Sequence, residues 1–193
     1  LPVRVELMVA ADALHELSAH ETDGLVLGLD LGIRTGLGDD RLRIGPTKIF
    51  SDGSLIGHTC AMTDDFADTP GERGFLQDSA DALRTRILEA HRSGWRVAAH
   101  AIGDAAMHLA LDAVEVAQRR WPRPDVRHRI EHFGVSRPDQ VAKAAELGVV
   151  PVPQGRFVGE IGDGMLRALG PDRAGWAYRY RSLLDAGITP PGS

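Results

Sequence analysis

Residues 95–104 of this chain read WRVAAHAIGD, and residues 127–132 read RHRIEH. Each stretch has the short apolar or alternating pattern of a strand, carries a histidine where that strand ends, and is followed by a signal for the start of a helix. In a parallel α/β sheet the carboxyl ends of neighbouring strands lie side by side, and ligands bind at that edge. The two stretches therefore predict that His100 and His132 lie together at one edge of a sheet.

A lysine on another strand fits the same description. Residues 42–50 have a strand pattern in which Lys48 stands near the end, just before the turn-forming sequence SDGS at 51–54. We expect Lys48 to lie beside the two histidines, so that two imidazoles and one amine converge on a single site.

The chain as a whole alternates between strand and helix patterns. Strands are predicted over residues 3–9, 43–50, 95–100, 126–132 and 149–152, with another beginning at Ile188. Helices are predicted over residues 10–17, 79–92, 104–121, 138–147 and 181–186. A loop and a short helix are expected over residues 159–180. Residues 51–77 are expected to form a long loop that acts as a substrate loop or lid. This alternation favours a parallel sheet, either doubly wound or a (β/α) barrel. A complete barrel has eight strands and about 250 residues, so these strands would form an incomplete one.

The composition is that of a globular protein with a substantial core. The 193 residues are 43% hydrophobic and 25% charged, with a formal net charge of -5. A negative charge gives no reason to expect nucleic acid, which calls for a basic face, and no run approaches the roughly 20 apolar residues of a membrane span. The single cysteine, Cys60, cannot form an internal disulfide, so the cytoplasm is the default location. A small molecule is the expected partner.

The chain begins without Met on a strand pattern and closes on residues 188–193, ITPPGS. We therefore expect it to be the middle of a longer protein. Absent sequence or a partner chain, such as a second copy in a homo-oligomer, would then supply the missing strands at the bare edges of its sheet, or nothing would if the chain is truncated.

The paired histidines are candidate metal ligands, because neutral imidazole binds zinc and similar divalent ions. Taken alone, His100 or His132 would be better explained as a buried, hydrogen-bonded core histidine. Two histidines at matching strand ends make the metal interpretation equally favourable. His128 shares the alternating face of His132 and would lie one layer deeper if that face points into a barrel. Glu131 alternates with His132, so we expect it to point away from the barrel axis, toward the helices.

Lys48 also has two interpretations. Its amine could simply reach solvent along the aliphatic stem. Buried near a metal, it could instead remain neutral and react with carbon dioxide to give a carbamate, whose two oxygens bridge cations. Asp52 is either a turn residue or a polar group facing the site, and Asp104 is expected to be a helix N-cap.

Several blocks of the sequence resemble, in the same order, successive blocks of the amidohydrolase superfamily. The blocks are residues 48–55 (KIFSDGSL), 100–104 (HAIGD), 127–132 (RHRIEH), 147–149 (LGV) and 182–187 (SLLDAG). The chain is most similar to amidohydrolase family 3, the YtcJ-like metal-dependent hydrolases that include N-substituted formamide deformylase.

The resemblance implies a metal site at the mouth of a (β/α)8 TIM barrel, of which this chain would supply about strands 3–7. The resemblance implies that Lys48 occupies the position of a strand-four lysine that is often carbamylated. It implies that His100 and His132 occupy the positions of the strand-five and strand-six ligands of one or two divalent ions, zinc above all. The resemblance also implies two histidine ligands before Leu1, a general-base aspartate beyond Ser193, and a β-sandwich domain outside this chain.

The sequence departs from the family pattern at two places. His58 stands where relatives commonly have arginine, and Gln154 is followed by Gly155 instead of proline. We expect four side chains to lie near the substrate or behind the ligands, namely Asp52, His58, His128 and Gln154.

The expected activity is hydrolysis of a non-peptide carbon–nitrogen bond in a small amide, formamide, carbamate or cyclic amide by metal-activated water. Without the missing ligands, the isolated chain is expected to be inactive or nearly so. One alternative is an inactive barrel fragment or binding scaffold that holds no metal. Another is a doubly wound nucleotide-binding domain, but that needs a glycine-rich phosphate loop, which residues 10–13, AADA, lack.

Overall fold

The computed structural model describes residues 3–17 and 26–191. The strands in these ranges are β1 (Val5–Ala10), β2 (His15–Leu17), β3 (Val26–Gly28), β4 (Leu42–Phe50), β5 (Val97–Ala101), β6 (Arg129–His132) and β7 (Val150–Val152). The α-helices are α1 (Ala80–Arg92), α2 (Asp104–Arg120), α3 (Pro138–Glu146), α4 (Arg156–Ala174) and α5 (Tyr180–Asp185). Predictions that concern Leu1 and residues 192–193 lie outside the described residues.

Five strands form one parallel sheet. They lie in the order β1-β4-β5-β6-β7, and every neighbouring pair is parallel. The sheet and its intervening helices confirm the predicted α/β class. A further strand at Ile188 is not found, since residues 188–191 form no strand and the Ile188 N–H instead binds the Leu183 carbonyl at the end of α5.

The helices cover one face of this sheet. Ile49, Ala99 and Ile130 stand at the same level on neighbouring strands and are almost fully buried in the main hydrophobic cluster. The helix residues of that cluster include Leu83, Ile87, Met107, Leu111 and Val141. Because side chains alternate along a strand, the residues on either side of Ile49, Ala99 and Ile130 point to the opposite face, which we call the inner face.

The long loop between β4 and α1 is packed against α4. A second hydrophobic cluster joins the two, with Leu55, Cys60, Met62, Phe66, Met165 and Leu169. The Ala67 N–H also donates to the Ala168 carbonyl at 2.8 Å. The loop predicted to be a lid is therefore anchored to the body of the molecule. At its far end, Ser79 caps α1, its hydroxyl accepting the Ala82 N–H.

The helix predicted over residues 10–17 is wrong. After a short 3-10 turn at Ala11–Ala13, the chain forms β2, which pairs antiparallel with β3. Only Leu14 and Leu17 supported the helix, and so short a helix is marginal in itself. Pairing with β3 gives the same residues backbone partners.

Residues 159–180 hold more helix than predicted. The 19-residue helix α4 begins at Arg156 and is kinked at Gly170, where φ is 70°, just before Pro171. Its glycines lower helix propensity, which accounts for the underprediction. Burial of Met165 and Leu169 against the long loop stabilises the helix nevertheless.

Two boundaries also differ from the prediction. Strand β6 begins at Arg129 and not at Val126, because Asp125 and Arg127 both have a φ of 52°, outside the strand region. The N-cap of α2 is Gly103, so the prediction of Asp104 as N-cap is wrong.

Asp104 is the first residue of α2, and its carboxylate has other partners. It accepts the backbone N–H and the hydroxyl of Thr63 and forms an ion pair with Arg137 at 2.9 Å. The buried aspartate thus ties the long loop to the N-terminal ends of α2 and α3.

Among the described residues, none of the helices has the length and apolar composition that crossing a membrane requires.

Candidate active site

The predicted site lies on the inner face of the sheet. In the strand register Phe50 is opposite His100, and His100 is opposite Glu131. Lys48 shares the face of Phe50, and its Nζ lies 4.4 Å from the centre of the Phe50 ring. The Phe50 and His100 ring centres are 5.3 Å apart. Strands β4, β5 and β6 thus bring these side chains together near their carboxyl ends.

His100 is oriented by the loop that follows β4. Its Nε2–H donates to the Gly53 carbonyl at 3.0 Å, and an Asp52 carboxylate oxygen lies 3.4 Å from the same nitrogen. Its Nδ1 is buried and has no hydrogen-bond partner within the described residues. Burial lowers the pKa of His100 to about 4, so its contact with Asp52 is not an ion pair near neutral pH. The ring is neutral and presents a free Nδ1 lone pair.

His132 reaches the same place through a distorted strand end. Its φ is 71° and that of Phe133 is 42°, so the regular alternation of β6 stops here. The His132 and His100 ring centres are 4.5 Å apart. The Nδ1–H of His132 donates to Gln154 Oε1 at 2.7 Å, which leaves Nε2 unprotonated because burial also lowers the pKa of His132.

Lys48 is the least satisfied group of the site. Its Nζ is buried and has no hydrogen-bond partner among the described side chains and backbone. Burial lowers the pKa of Lys48 to about 8, although the nearby Glu131 and Asp52 oppose the change. Lys48 therefore has an appreciable neutral fraction at slightly alkaline pH. A cavity of about 380 Å³ lies beside it, with Ala10, Asp12, Phe50, Gln77 and Arg86 in its lining.

Asp52 organises the backbone around the site. Its side chain is 0% exposed and accepts the N–H groups of Ala61 and Ile102 at 3.0 Å and of Gly103 at 2.7 Å. Burial raises the pKa of Asp52 to about 6, and the three hydrogen bonds oppose this shift. The carboxylate therefore fastens the loop after β4 to the end of β5, beside His100.

The predicted orientation of Glu131 is wrong. Ile130 is buried on the helix side, so Glu131 points to the inner face, and its side chain is only 12% exposed. There its carboxylate binds Arg129 at 2.7 Å. The prediction extended the alternation through His132, whose positive φ breaks it.

The prediction that His128 lies inside a barrel is also wrong, because it too extended the alternation of the strand through His132. His128 is on the helix side of the sheet and is fully buried. Its Nδ1 accepts the Val97 N–H at 2.9 Å, and its Nε2–H donates to Nδ1 of His91 at 2.8 Å. His128 thus belongs to the packing between sheet and helices.

His58 lies in the long loop. Its Nε2 is 2.9 Å from the Asp68 carboxylate, and its ring packs edge-on against Phe66 at 4.6 Å. Gln154, by contrast, directly contacts His132, as described above.

The donor atoms suit a divalent cation in kind but are few in number. Within residues 3–17 and 26–191, no three His, Cys, Asp or Glu side chains are grouped so that they could hold a metal ion. Lys48 Nζ and His100 Nδ1 are nevertheless both buried without partners, and His132 offers its Nε2. Neutral imidazoles with an amine or a carbamate form a donor set that suits zinc-like ions. Further ligands would come from outside the described residues.

The whole chain, residues 1–193, matches the family model described as an amidohydrolase family. The chain belongs to this family. The resemblance seen in the sequence blocks is thereby confirmed.

Two sequence relatives illustrate the similarity. YtcJ of Bacillus subtilis (strain 168), an amidohydrolase by name, is 31% identical over 152 residues, which cover 78% of this chain and 28% of YtcJ. Protein LONG AFTER FAR-RED 3 of Arabidopsis thaliana is 31% identical over 159 residues, which cover 81% of this chain and 27% of that protein.

Two solved structures are also similar, both described as uncharacterized metal-dependent hydrolases. The protein from Pyrococcus furiosus is 34% identical, with a TM-score of 0.74 over 85% of this chain and 33% of its own. The protein from Pyrococcus horikoshii OT3 is 32% identical, with a TM-score of 0.72 over 84% of this chain and 32% of its own. The chain thus spans only about a quarter to a third of the length of these relatives.

Proposed function

We propose that this chain supplies part of the metal site of a hydrolase that cleaves non-peptide carbon–nitrogen bonds in a small amide, formamide, carbamate or cyclic amide. The observation that carries the proposal is the contact between His100 and His132, with ring centres 4.5 Å apart, beside the buried and unpartnered amine of Lys48. Family membership supports hydrolysis, and the descriptions of the two Pyrococcus relatives support a metal.

The proposed architecture is a (β/α)8 barrel in which the five parallel strands are about strands 3–7. Its mouth would include the carboxyl ends of β4, β5 and β6, where catalytic groups of such barrels lie. The inner face defined by Lys48, His100 and Glu131 would then face the barrel axis.

In this site His100 through Nδ1 and His132 through Nε2 would hold one or two divalent ions, with zinc the first candidate. Such an ion, when bound, polarises the substrate oxygen and acidifies water. The residues of this chain prepare the site: the Gly53 carbonyl and the Gln154 amide fix the two imidazole tautomers, and burial keeps both rings neutral. The neutral amine of Lys48 would attack carbon dioxide and lose one proton to solvent, giving a carbamate whose oxygens could help to hold the metal.

Zinc titration of the purified chain tests the proposal. We expect the wild-type chain to bind Zn²⁺, and His100→Ala and His132→Ala each to weaken binding at least tenfold. His108→Ala is the matched control, because His108 lies on the exposed side of α2, paired with Asp112, and should leave binding unchanged. Equal zinc binding by the wild type and both site variants would contradict the proposal.

Carbamate formation has a separate readout. With ¹³C-labelled bicarbonate and zinc, a carbamate carbon signal is expected in the wild type and not in Lys48→Ala. Lys143→Ala is the control, since the Lys143 amine already pairs with Asp112 and Glu115.

A metal-free scaffold is the second candidate function. It is favoured by the absence, among the described residues, of three His, Cys, Asp or Glu side chains grouped around one point. A folded wild-type chain that takes up no zinc, manganese or iron would support this alternative.

A further inference from the structure

The partner of His132 is itself held in place from both sides. The hydroxyl of Tyr180, the first residue of α5, donates to the Pro153 carbonyl at 2.5 Å and accepts the Gly155 N–H at 2.9 Å. These two residues flank Gln154, whose amide oxygen accepts the Nδ1–H of His132. One hydroxyl therefore fixes the backbone on each side of the residue that sets the tautomer of His132.

The segment that leads into Tyr180 is also bound to the loop after His132. The Tyr178 N–H donates to the Gly134 carbonyl at 2.8 Å, and the Ser136 N–H donates to the Trp176 carbonyl at 3.0 Å. Residues 176–180 thus form a brace that spans from the loop behind His132 to the loop carrying Gln154. The brace has rigid anchors, since the Tyr178 ring is buried and packs edge-on against Phe157.

Three non-glycine residues with positive φ lie at or near this brace. His132, Phe133 and Tyr178 all have positive φ, at 71°, 42° and 43°. Non-glycine residues hold such conformations only when their surroundings enforce them. Tyr178 is part of the brace, and the brace binds Gly134, the residue that follows Phe133.

Gly155 fits this arrangement in two ways. A Cβ at this position would lie 3.0 Å from the Tyr180 ring, so a larger residue would press on the ring. A proline would in addition remove the N–H that Tyr180 accepts. The glycine that departs from the family pattern is therefore matched to the tyrosine.

We propose that Tyr180 is a positioning residue for the metal site. It holds Gln154 so that His132 carries its proton on Nδ1 and presents an unprotonated Nε2. The naming of His132 as a ligand rests on the proposed function, but the control of its tautomer by Tyr180 does not require a metal.

The test is the tautomer of His132, read from long-range ¹H–¹⁵N spectra of the metal-free chain above pH 7. The wild type should show mainly the Nδ1–H form. Tyr180→Phe should shift His132 toward a mixture that includes the Nε2–H form. It should also weaken Zn²⁺ binding by up to about tenfold, because it disturbs Gln154, whose amide is the outer contact of His132. Tyr178→Phe is the matched control, because it removes a hydroxyl from the same brace and keeps the Tyr180 bridge.

A second variant keeps the test decisive if Tyr180→Phe unfolds. Gly155→Ala retains the hydroxyl but presses on the ring, so the same shift in tautomer is expected. An unchanged His132 tautomer in the folded variants would overturn the inference. A shifted tautomer in a chain that never binds zinc would uphold it while refuting the proposed function.

Discussion

At the scale of single residues, Asp52 should contribute more to stability than any exposed aspartate. Its buried carboxylate satisfies three backbone N–H groups, of Ala61, Ile102 and Gly103. Asp52→Ala leaves buried donors unpaired, and we expect it to lower the free energy of unfolding by about 3 kcal/mol. Urea denaturation measures this, with the exposed loop variant Asp40→Ala as control, for which we expect a change within about 0.5 kcal/mol. A loss under about 1 kcal/mol for Asp52→Ala would contradict this role.

The positions of some side chains in the candidate site could be predicted from the sequence, and those of others could not. Lys48 and His100 were predictable, since regular strands alternate and both stand near strand ends. The sides of the sheet on which Glu131 and His128 lie were not, because the positive φ of His132 ends the alternation on which that prediction depended. Tyr180 acts across 25 residues through a hydroxyl bound to backbone, and such a contact leaves no local pattern.

At the scale of elements, the close approach of the turn between β5 and α2 to the long loop depends on a glycine. A Cβ on Gly103 would overlap the Ala61 carbonyl, a backbone group that cannot simply rotate away. Since the φ of Gly103 is -76°, alanine would fit the backbone conformation and the cost would be steric. We expect Gly103→Ala to destabilise the chain by about 2 kcal/mol in thermal or urea unfolding.

Gly159→Ala in α4 is the informative control, because it should have the opposite sign. Gly159 is exposed and has nothing within 4 Å of an added Cβ. Alanine there should stabilise the chain by about 0.5–1 kcal/mol through helix propensity alone. If Gly103→Ala left stability unchanged or raised it as Gly159→Ala does, the steric account of Gly103 would be wrong.

Elements that follow a strong local pattern were predicted best. Helices α1, α2 and α3 have an apolar stripe and recognisable ends, and all three were predicted close to their observed bounds. Strand β2 and helix α4 depend instead on partners distant in sequence: β3 in one case and the long loop in the other. Tertiary contacts of that kind override local propensity.

At the scale of the whole molecule, the sheet is joined to the helix layer by a pair of neutral histidines. His91 Nε2–H donates to the Trp121 carbonyl, so its Nδ1 must accept from His128, which in turn accepts the Val97 N–H. All four ring nitrogens are occupied, and an added proton would break one of these bonds. Burial lowers the pKa of His91, and it lowers that of His128 to about 3.

Stability should therefore fall in acid, and the sign follows from these pKa values. An unfolded histidine has a pKa near 6.5. Between that pH and about 3 the unfolded chain binds a proton at His128 that the folded chain does not, so the contribution of His128 to stability is complete above pH 6.5 and is lost as the pH drops. Each such proton contributes a slope of about 1.4 kcal/mol per pH unit. The positive charges of Arg123 and Arg96 act in the same direction as burial.

Substitution of His128 isolates its share of this slope. His128→Gln cannot bind the proton in either state, so its unfolding free energy should depend on pH less steeply, by about 1.4 kcal/mol per unit between about pH 4 and 6. The lowered pKa values of His100 and His132 contribute equally to the wild type and to this variant, and therefore cancel in the comparison. His108→Gln, on the exposed side of α2, should keep the wild-type slope. If the unfolding free energies of the wild type and His128→Gln changed in parallel with pH, His128 would be protonated as readily in the folded chain as in the unfolded chain. The histidine pair would then not fix the sheet to the helices.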